Sequence, residues 1–232
     1  MILFLKLILA HLIGDFILQP NKWIIDKETN KLKSKYLYIH VFLHFLVTMV
    51  LLWDLSYWKV AVVILISHYV IDALKLLTTP KFKNKSIPFF LDQLLHVAVI
   101  YACAYYGDLV DHTWKIITEI DLALVTAFVF LSFPTAISVG KLLEGMAKHI
   151  EMDHESLPNA GMYIGIIERF FVLTFILLGH WEVIGFLIAA KSVFRFNDLK
   201  ESNSRELTEY ILIGTLLSFG VAILVGILYS KL

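Results

Sequence analysis

The chain has 232 residues, no net formal charge and 59% hydrophobic residues. Its mean hydropathy is +0.76, and its apolar residues fall in long runs, whereas a soluble domain is only about half apolar. These values predict an all-α, polytopic membrane helix bundle that has the lipid bilayer as a partner. The balanced charge gives no reason to expect a nucleic acid as a partner. The single cysteine, Cys103, excludes an intramolecular disulfide and a cysteine-based metal motif.

Eight segments are predicted to be membrane spans, which gives about seven to eight transmembrane helices. All but the seventh approach the roughly 17–25 residues that a spanning helix needs. The seventh is short and carries Lys191 and Arg195, so it is expected to be tilted, re-entrant or only half-spanning. Pro134 lies inside the fifth segment and predicts a kink. The segments are 2–19, 37–53, 58–77, 88–106, 121–143, 161–179, 182–196 and 208–229.

Positive charges separate the loops into two sets. Residues 22–35 hold five lysines and residues 81–85 hold three, whereas the even-numbered loops hold little more than Lys59 and Lys115. The lysine-rich loops are therefore predicted to be cytoplasmic and the N-terminus to lie outside. The 22–35 stretch is interpreted as a topology signal in a solvated loop.

The first four spans contain an internal duplication of a two-helix hairpin. Each span carries a pair of polar residues at a four-residue spacing, which places the pair on one helix face. The repeat predicts a four-helix bundle in residues 1–106, joined with residues 107–232 into one integrated membrane domain. The pairs are His11 and Asp15, His40 and His44, His68 and Asp72, and Asp92 and His96.

The helical rise places these eight residues in two tiers. Asp15, His40, Asp72 and Asp92 lie roughly 5–8 Å from the cytoplasmic ends of their spans, and the four other histidines lie about one turn deeper. A charge at the centre of a membrane helix costs roughly 2.5–3.5 kcal/mol, so these groups need a compensating interaction.

Imidazole and carboxylate groups from facing helices are a way in which bundles bind metals. The favoured hypothesis is a site for one or two divalent transition metal ions, with zinc, manganese and iron as the options. Gln19 and Gln93 would be hydrogen-bond partners around it. The alternatives are hydrogen bonding between helices without a metal and a proton or ion pathway.

The second half carries a different set of charged residues at the same predicted depth. Glu168 and Arg169 lie in the sixth span, and Lys191 and Arg195 lie in the seventh. The cations Arg169, Lys191 and Arg195 could hold an anionic group beside the metal site, in one cavity open to the cytoplasm. Structural ion pairs that involve Glu168 are the alternative reading.

The chain resembles the bacterial membrane family named domain of unknown function 3307. The resemblance lies in His11-Leu-Ile-Gly-Asp15-Phe-Ile-Leu-Gln19-Pro20, His68-Tyr-Val-Ile-Asp72-Ala-Leu-Lys75 and Asp92-Gln93-Leu-Leu-His96. It continues in Ile164-Gly-Ile-Ile-Glu168-Arg169 and in Gly185 to Phe196. It implies a bacterial inner membrane location but no established activity. The spacing is also weakly similar to that of predicted membrane-bound metal-dependent hydrolases.

The residues favour a membrane-embedded, metal-dependent enzyme that hydrolyses a phosphate-containing or lipid-linked substrate at the cytoplasmic face. Its residues predicted to act in catalysis are Asp15, Asp72, Asp92, Arg169, Lys191 and Arg195. An ion-coupled transporter and a non-enzymatic membrane sensor or scaffold are the alternatives. The sequence predicts neither the metal, the substrate nor the oligomeric state.

Overall fold

The computed structural model describes residues 2–108, 121–147, 159–202 and 205–232. These residues are helical throughout, apart from short connections, and contain no strand, which confirms the all-α prediction. They fall into two compact units, Met1–Val129 and Phe130–Leu232.

Ten α-helices follow one another in the described residues. They are α1 Ile2–Leu12, α2 Asn21–Asn30, α3 Lys35–Leu52, α4 Trp58–Thr78, α5 Ser86–Asp108, α6 Leu122–Leu131, α7 Phe133–Ala147, α8 Ala160–Leu177, α9 Trp181–Ser202 and α10 Arg205–Tyr229. A π-helix over Ile13–Ile17 extends α1, and 3-10 turns at Lys31–Lys33, Leu55–Tyr57 and Thr79–Lys81 adjoin α2 and α4.

Within the described residues, six helical stretches are long and apolar enough to cross a membrane. The first helix adds a seventh if it is counted with α2, from which an 83° bend separates it. The break between the two helices includes Pro20, next to the predicted end of the first span at residue 19. The short segment predicted at 182–196 belongs to the longer helix α9, which is not among these stretches.

Helices α1, α3, α4 and α5 form the predicted four-helix bundle. Helix α1 packs against α3 and α5, and α4 packs against the same two helices. This ring order is the one that two consecutive antiparallel hairpins produce. One apolar cluster includes Leu3, Leu7 and Leu52. Another is formed by Leu37, Val41 and Leu76.

Besides its apolar clusters, the bundle buries a set of polar side chains, and its exterior is apolar, unlike that of a soluble protein. Five histidines are 3% exposed or less, whereas Phe42, Ile66 and Leu94 have more than half of their surface exposed. Such an apolar exterior needs lipid as its solvent, so the chain is a membrane protein.

In the second unit, the predicted kink at Pro134 appears as a break between α6 and α7 at Ser132. Proline cannot donate a backbone hydrogen bond, so carbonyl groups of the preceding turn need other donors. Thr135 Oγ1 donates to the Phe130 carbonyl at 2.7 Å. Arg169 of α8 donates to the carbonyls of Leu131 at 2.6 Å and Ser132 at 3.1 Å.

We expect Arg169→Met to lower the free energy of unfolding by about 3 kcal/mol, because the guanidinium is 2% exposed and also donates to Ser218 Oγ. Thermal unfolding in detergent measures the effect. His180→Ala, at an exposed position of the same unit, is the control. Equal melting temperatures for the two variants would contradict this structural role.

Candidate metal centre

The eight predicted residues lie together in the first unit and form what we call the histidine–aspartate cluster. Its members are His11, Asp15, His40, His44, His68, Asp72, Asp92 and His96. Asp15 has a side chain that is 10% exposed, and the seven others are buried. The structure therefore brings the eight side chains from the four helices together.

The four deeper histidines line one small cavity. Further side chains from all four helices, among them Leu7, Thr48, Ile64 and Ile100, complete its wall. The rings of His44 and His68 are stacked with their centroids 3.7 Å apart, and the ring of His96 lies 4.1 Å from that of His68. The histidine tier expected from the helical rise is therefore present.

Asp15 joins the two tiers. Its Oδ1 lies 2.9 Å from His44 Nε2, 3.2 Å from His40 Nε2 and 3.4 Å from His68 Nε2. The residue lies in the π-helix, where Leu18 N donates to Ile13 O. A π-turn is wider than an α-turn and is often found at functional sites. The spacing of His11 and Asp15 is typical of an ordinary helix and gave no signal of this turn.

The glutamines expected around the site are in contact with it. Gln93 Nε2 donates to Asp15 Oδ2 at 3.1 Å and to Asp92 Oδ2 at 3.2 Å, while its Oε1 accepts from His11 Nε2 at 3.2 Å. Gln19 Nε2 lies 2.9 Å from His40 Nδ1. Both amides therefore hold cluster side chains in fixed orientations.

Two lysines hold the remaining carboxylates, and sequence reasoning missed both roles. Lys27 Nζ donates to Asp72 Oδ2 at 2.9 Å, and Lys75 Nζ donates to Asp92 Oδ2 at 2.7 Å. The interpretation of residues 22–35 as a solvated loop is wrong for Lys27, which is helical and 6% exposed because it neutralises a buried carboxylate. Its pairing depends on the bend that precedes α2. The position of Lys75 weakly indicated a role at the cluster, since it follows Asp72 by about one helical turn and lies on the same helix face.

Three sets of cluster side chains have ligand atoms within 4.8 Å of one another and could hold a metal ion. They are His11, Asp15, His44 and His68; His40, His68 and Asp72; and Asp15, Asp92 and His96. Nitrogen and carboxylate oxygen donors of this kind suit several divalent transition metals.

The charged residues of the second half belong to the second unit. Lys191 Nζ donates to Glu168 Oε2 at 2.5 Å, which is one of the structural ion pairs considered above. Arg169 donates to backbone and serine oxygens of its own unit. Arg195 lies in α9, and its side chain is outside the part of the chain that the structure describes. A role for these cations in holding an anion stays a prediction.

Fold and site together define a helical membrane protein whose four-helix bundle encloses a cluster that could hold a metal ion. The chain belongs to the family described as protein of unknown function (DUF3307), whose sequence profile matches residues 3–125. The match includes the whole histidine–aspartate cluster, and the motifs noted in the second half lie beyond it. No curated protein and no solved structure matches the chain. The weaker similarity to predicted membrane-bound hydrolases thus has no support from them.

We expect Gly14→Ala to destabilise the protein, because a Cβ there would lie 2.5 Å from His44 Nε2. The imidazole would have to leave its position beside Asp15. Gly140→Ala is the matched control, since nothing lies within 4 Å of its added Cβ. Replacement of that glycine, which lies inside a helix, should raise the free energy of unfolding by up to about 1 kcal/mol. Thermal unfolding compares the two, and equal stability would show that His44 is not held against α1.

For the ion pair of Lys27 and Asp72, we expect each of Lys27→Met and Asp72→Asn to cost about 3–5 kcal/mol, because each leaves one buried charge unmatched. The double variant should cost much less than the sum of the two. Unfolding in the presence of a chelator measures the coupling without a contribution from bound metal. Additive effects would contradict a direct pair.

Proposed function

We propose that the protein is a membrane-embedded, metal-dependent hydrolase that acts on a phosphate-containing or lipid-linked substrate at the cytoplasmic face of the bacterial inner membrane. The observation that carries the proposal is the convergence of three imidazole Nε2 atoms on one oxygen of Asp15, within 3.4 Å in each case. The proposed orientation, with the N-terminus outside, rests on the lysine-rich loops.

Metal binding explains the convergence better than hydrogen bonding alone. His40 Nε2 and His68 Nε2 lie 3.1 Å apart, so that only one of the two can carry the proton between them. At least one of these nitrogens therefore offers a lone pair within the cluster. A divalent cation would satisfy such lone pairs together and would offset the cost of burying the carboxylates.

Zinc, manganese and iron all fit this donor set. A bound ion of this kind would polarise the scissile group and activate water. The chain itself would orient the reaction: the amides of Gln19 and Gln93 fix the ring of His40 and the carboxylates of Asp15 and Asp92. An aspartate carboxylate not bound to metal would accept the proton from the attacking water.

The substrate is proposed to be anionic because two lysines lie beside the cluster. Lys27 and Lys75 lie within hydrogen-bonding distance of cluster carboxylates. A phosphate group held by Arg169, Lys191 and Arg195 is a separate prediction for the second unit. An apolar exterior suits a substrate that arrives from the bilayer.

Metal content is the decisive measurement. We expect the purified protein to contain at least about one equivalent of a transition metal and His68→Ala to lose most of it, since His68 belongs to two of the three ligand sets. His180→Ala, an exposed histidine outside the cluster, should keep the metal. Less than about 0.2 equivalents in the native protein, with unchanged stability in His68→Ala, would overturn the proposal.

An ion-coupled transporter is the second candidate, because intramembrane aspartates and histidines also build ion relays. Flux across proteoliposomes that depends on Asp15 and Asp72 would favour it over hydrolysis. A sensor or scaffold would show neither hydrolysis nor flux. The cytoplasmic partner that it docks would function normally in cells that carry His11→Ala.

A further inference from the structure

Two buried side-chain atoms in the cluster lack a hydrogen-bond partner. Among the residues that the structure describes, these are Asp92 Oδ1 and His96 Nε2. The two residues lie one turn apart on α5 and are 2% and 3% exposed. A buried polar atom without a partner is costly and indicates a ligand that the protein atoms do not supply.

The opposite atom of each side chain is held in place. His96 Nδ1 lies 2.9 Å from the carbonyl oxygen of Asp92. The ring therefore donates its proton to that carbonyl from Nδ1, which leaves a lone pair on Nε2. Asp92 Oδ2 accepts from Lys75 and Gln93. Both free atoms are thus acceptors, and two acceptors cannot satisfy each other. The same arrangement orients histidines that bind metals.

Asp15 supplies a third ligand to the same place and connects it with the other histidines. A ligand atom of Asp15, one of Asp92 and one of His96 lie within 4.8 Å of one another. Asp15 also belongs to the set that includes His44 and His68. Its Oδ1 faces those two rings and its Oδ2 faces Gln93. The two carboxylate oxygens of Asp15 therefore point toward different parts of the cluster.

The third set, which is His40, His68 and Asp72, shares His68 with the first set and contains neither of the two unpartnered atoms of the second. Lys27 Nζ lies 2.9 Å from Asp72 Oδ2. Neither Asp72 nor His40 has a buried side-chain atom without a partner, among the described residues. Among the described residues, the second set is therefore the one in which buried acceptor atoms lack a partner.

We propose that the cluster binds two divalent ions that share the carboxylate of Asp15. His11, His44 and His68 complete the first site, and Asp92 and His96 complete the second. The inference rests on the proposed function and specifies it: paired ions about 3.5–4 Å apart are typical of enzymes that displace groups at phosphorus.

The charges of the cluster favour an anionic ligand for the two-ion form. Three aspartates and two lysines give a net charge of −1 when the histidines are neutral. Two divalent ions would change this to +3, which an anion such as phosphate would reduce. Phosphate should therefore increase the affinity for the second ion.

Loading of the full-length protein with manganese tests the inference. We expect about two equivalents to remain after desalting, and the electron paramagnetic resonance spectrum to show two spin-coupled ions. His96→Ala and Asp92→Asn should each retain about one equivalent and lose the coupling, while His180→Ala should retain both. Inorganic phosphate should lower the manganese concentration needed to fill the second site about tenfold or more.

The outcomes separate this inference from the proposed function. One equivalent in the native protein, without spin coupling, overturns the two-ion site and leaves a metal-dependent enzyme in place. No bound metal overturns both. If a variant fails to fold in detergent, the stoichiometry and coupling of the native protein decide the question. Two equivalents retained by a folded His96→Ala would also overturn the assignment.

Discussion

A carboxylate inside an apolar helix bundle has to be matched by cations or hydrogen-bond donors, since lipid offers neither. The first unit is built around this requirement. Asp15 faces imidazole rings from α3 and α4 and the amide of Gln93. Asp72 and Asp92 each face a lysine. Each carboxylate thereby ties together side chains from different helices.

The same requirement explains why the bundle needs the segment between its first two spans. Helix α2 follows an 83° bend and brings Lys27 to Asp72 on α4. In the second hairpin Lys75 has the equivalent role from within α4 itself. The second copy of the repeat therefore has a lysine at each of its two carboxylates, whereas Asp15 of the first copy faces imidazole rings and an amide, although the polar pairs have the same spacing.

Much of the site followed from the sequence because a four-residue spacing determines a helix face wherever the helix lies. That rule placed His11, His44, His68 and His96 in one tier, and they line one cavity. The rule could not reveal Lys27, whose partner lies 45 residues further along the chain. Nor could it assign Arg169 to the break before Pro134, since only packing brings α8 to those carbonyls.

The sequence by itself determined the helical membrane class, the four-helix repeat and the eight residues of the cluster, because hydropathy and helical periodicity are local properties. Only the tertiary structure decided which atoms meet. The π-turn at Asp15, the ring of His44 against Gly14 and the free atoms of Asp92 and His96 all depend on how close the helices approach. That distance is set by side-chain packing across the bundle, which no spacing along one helix encodes.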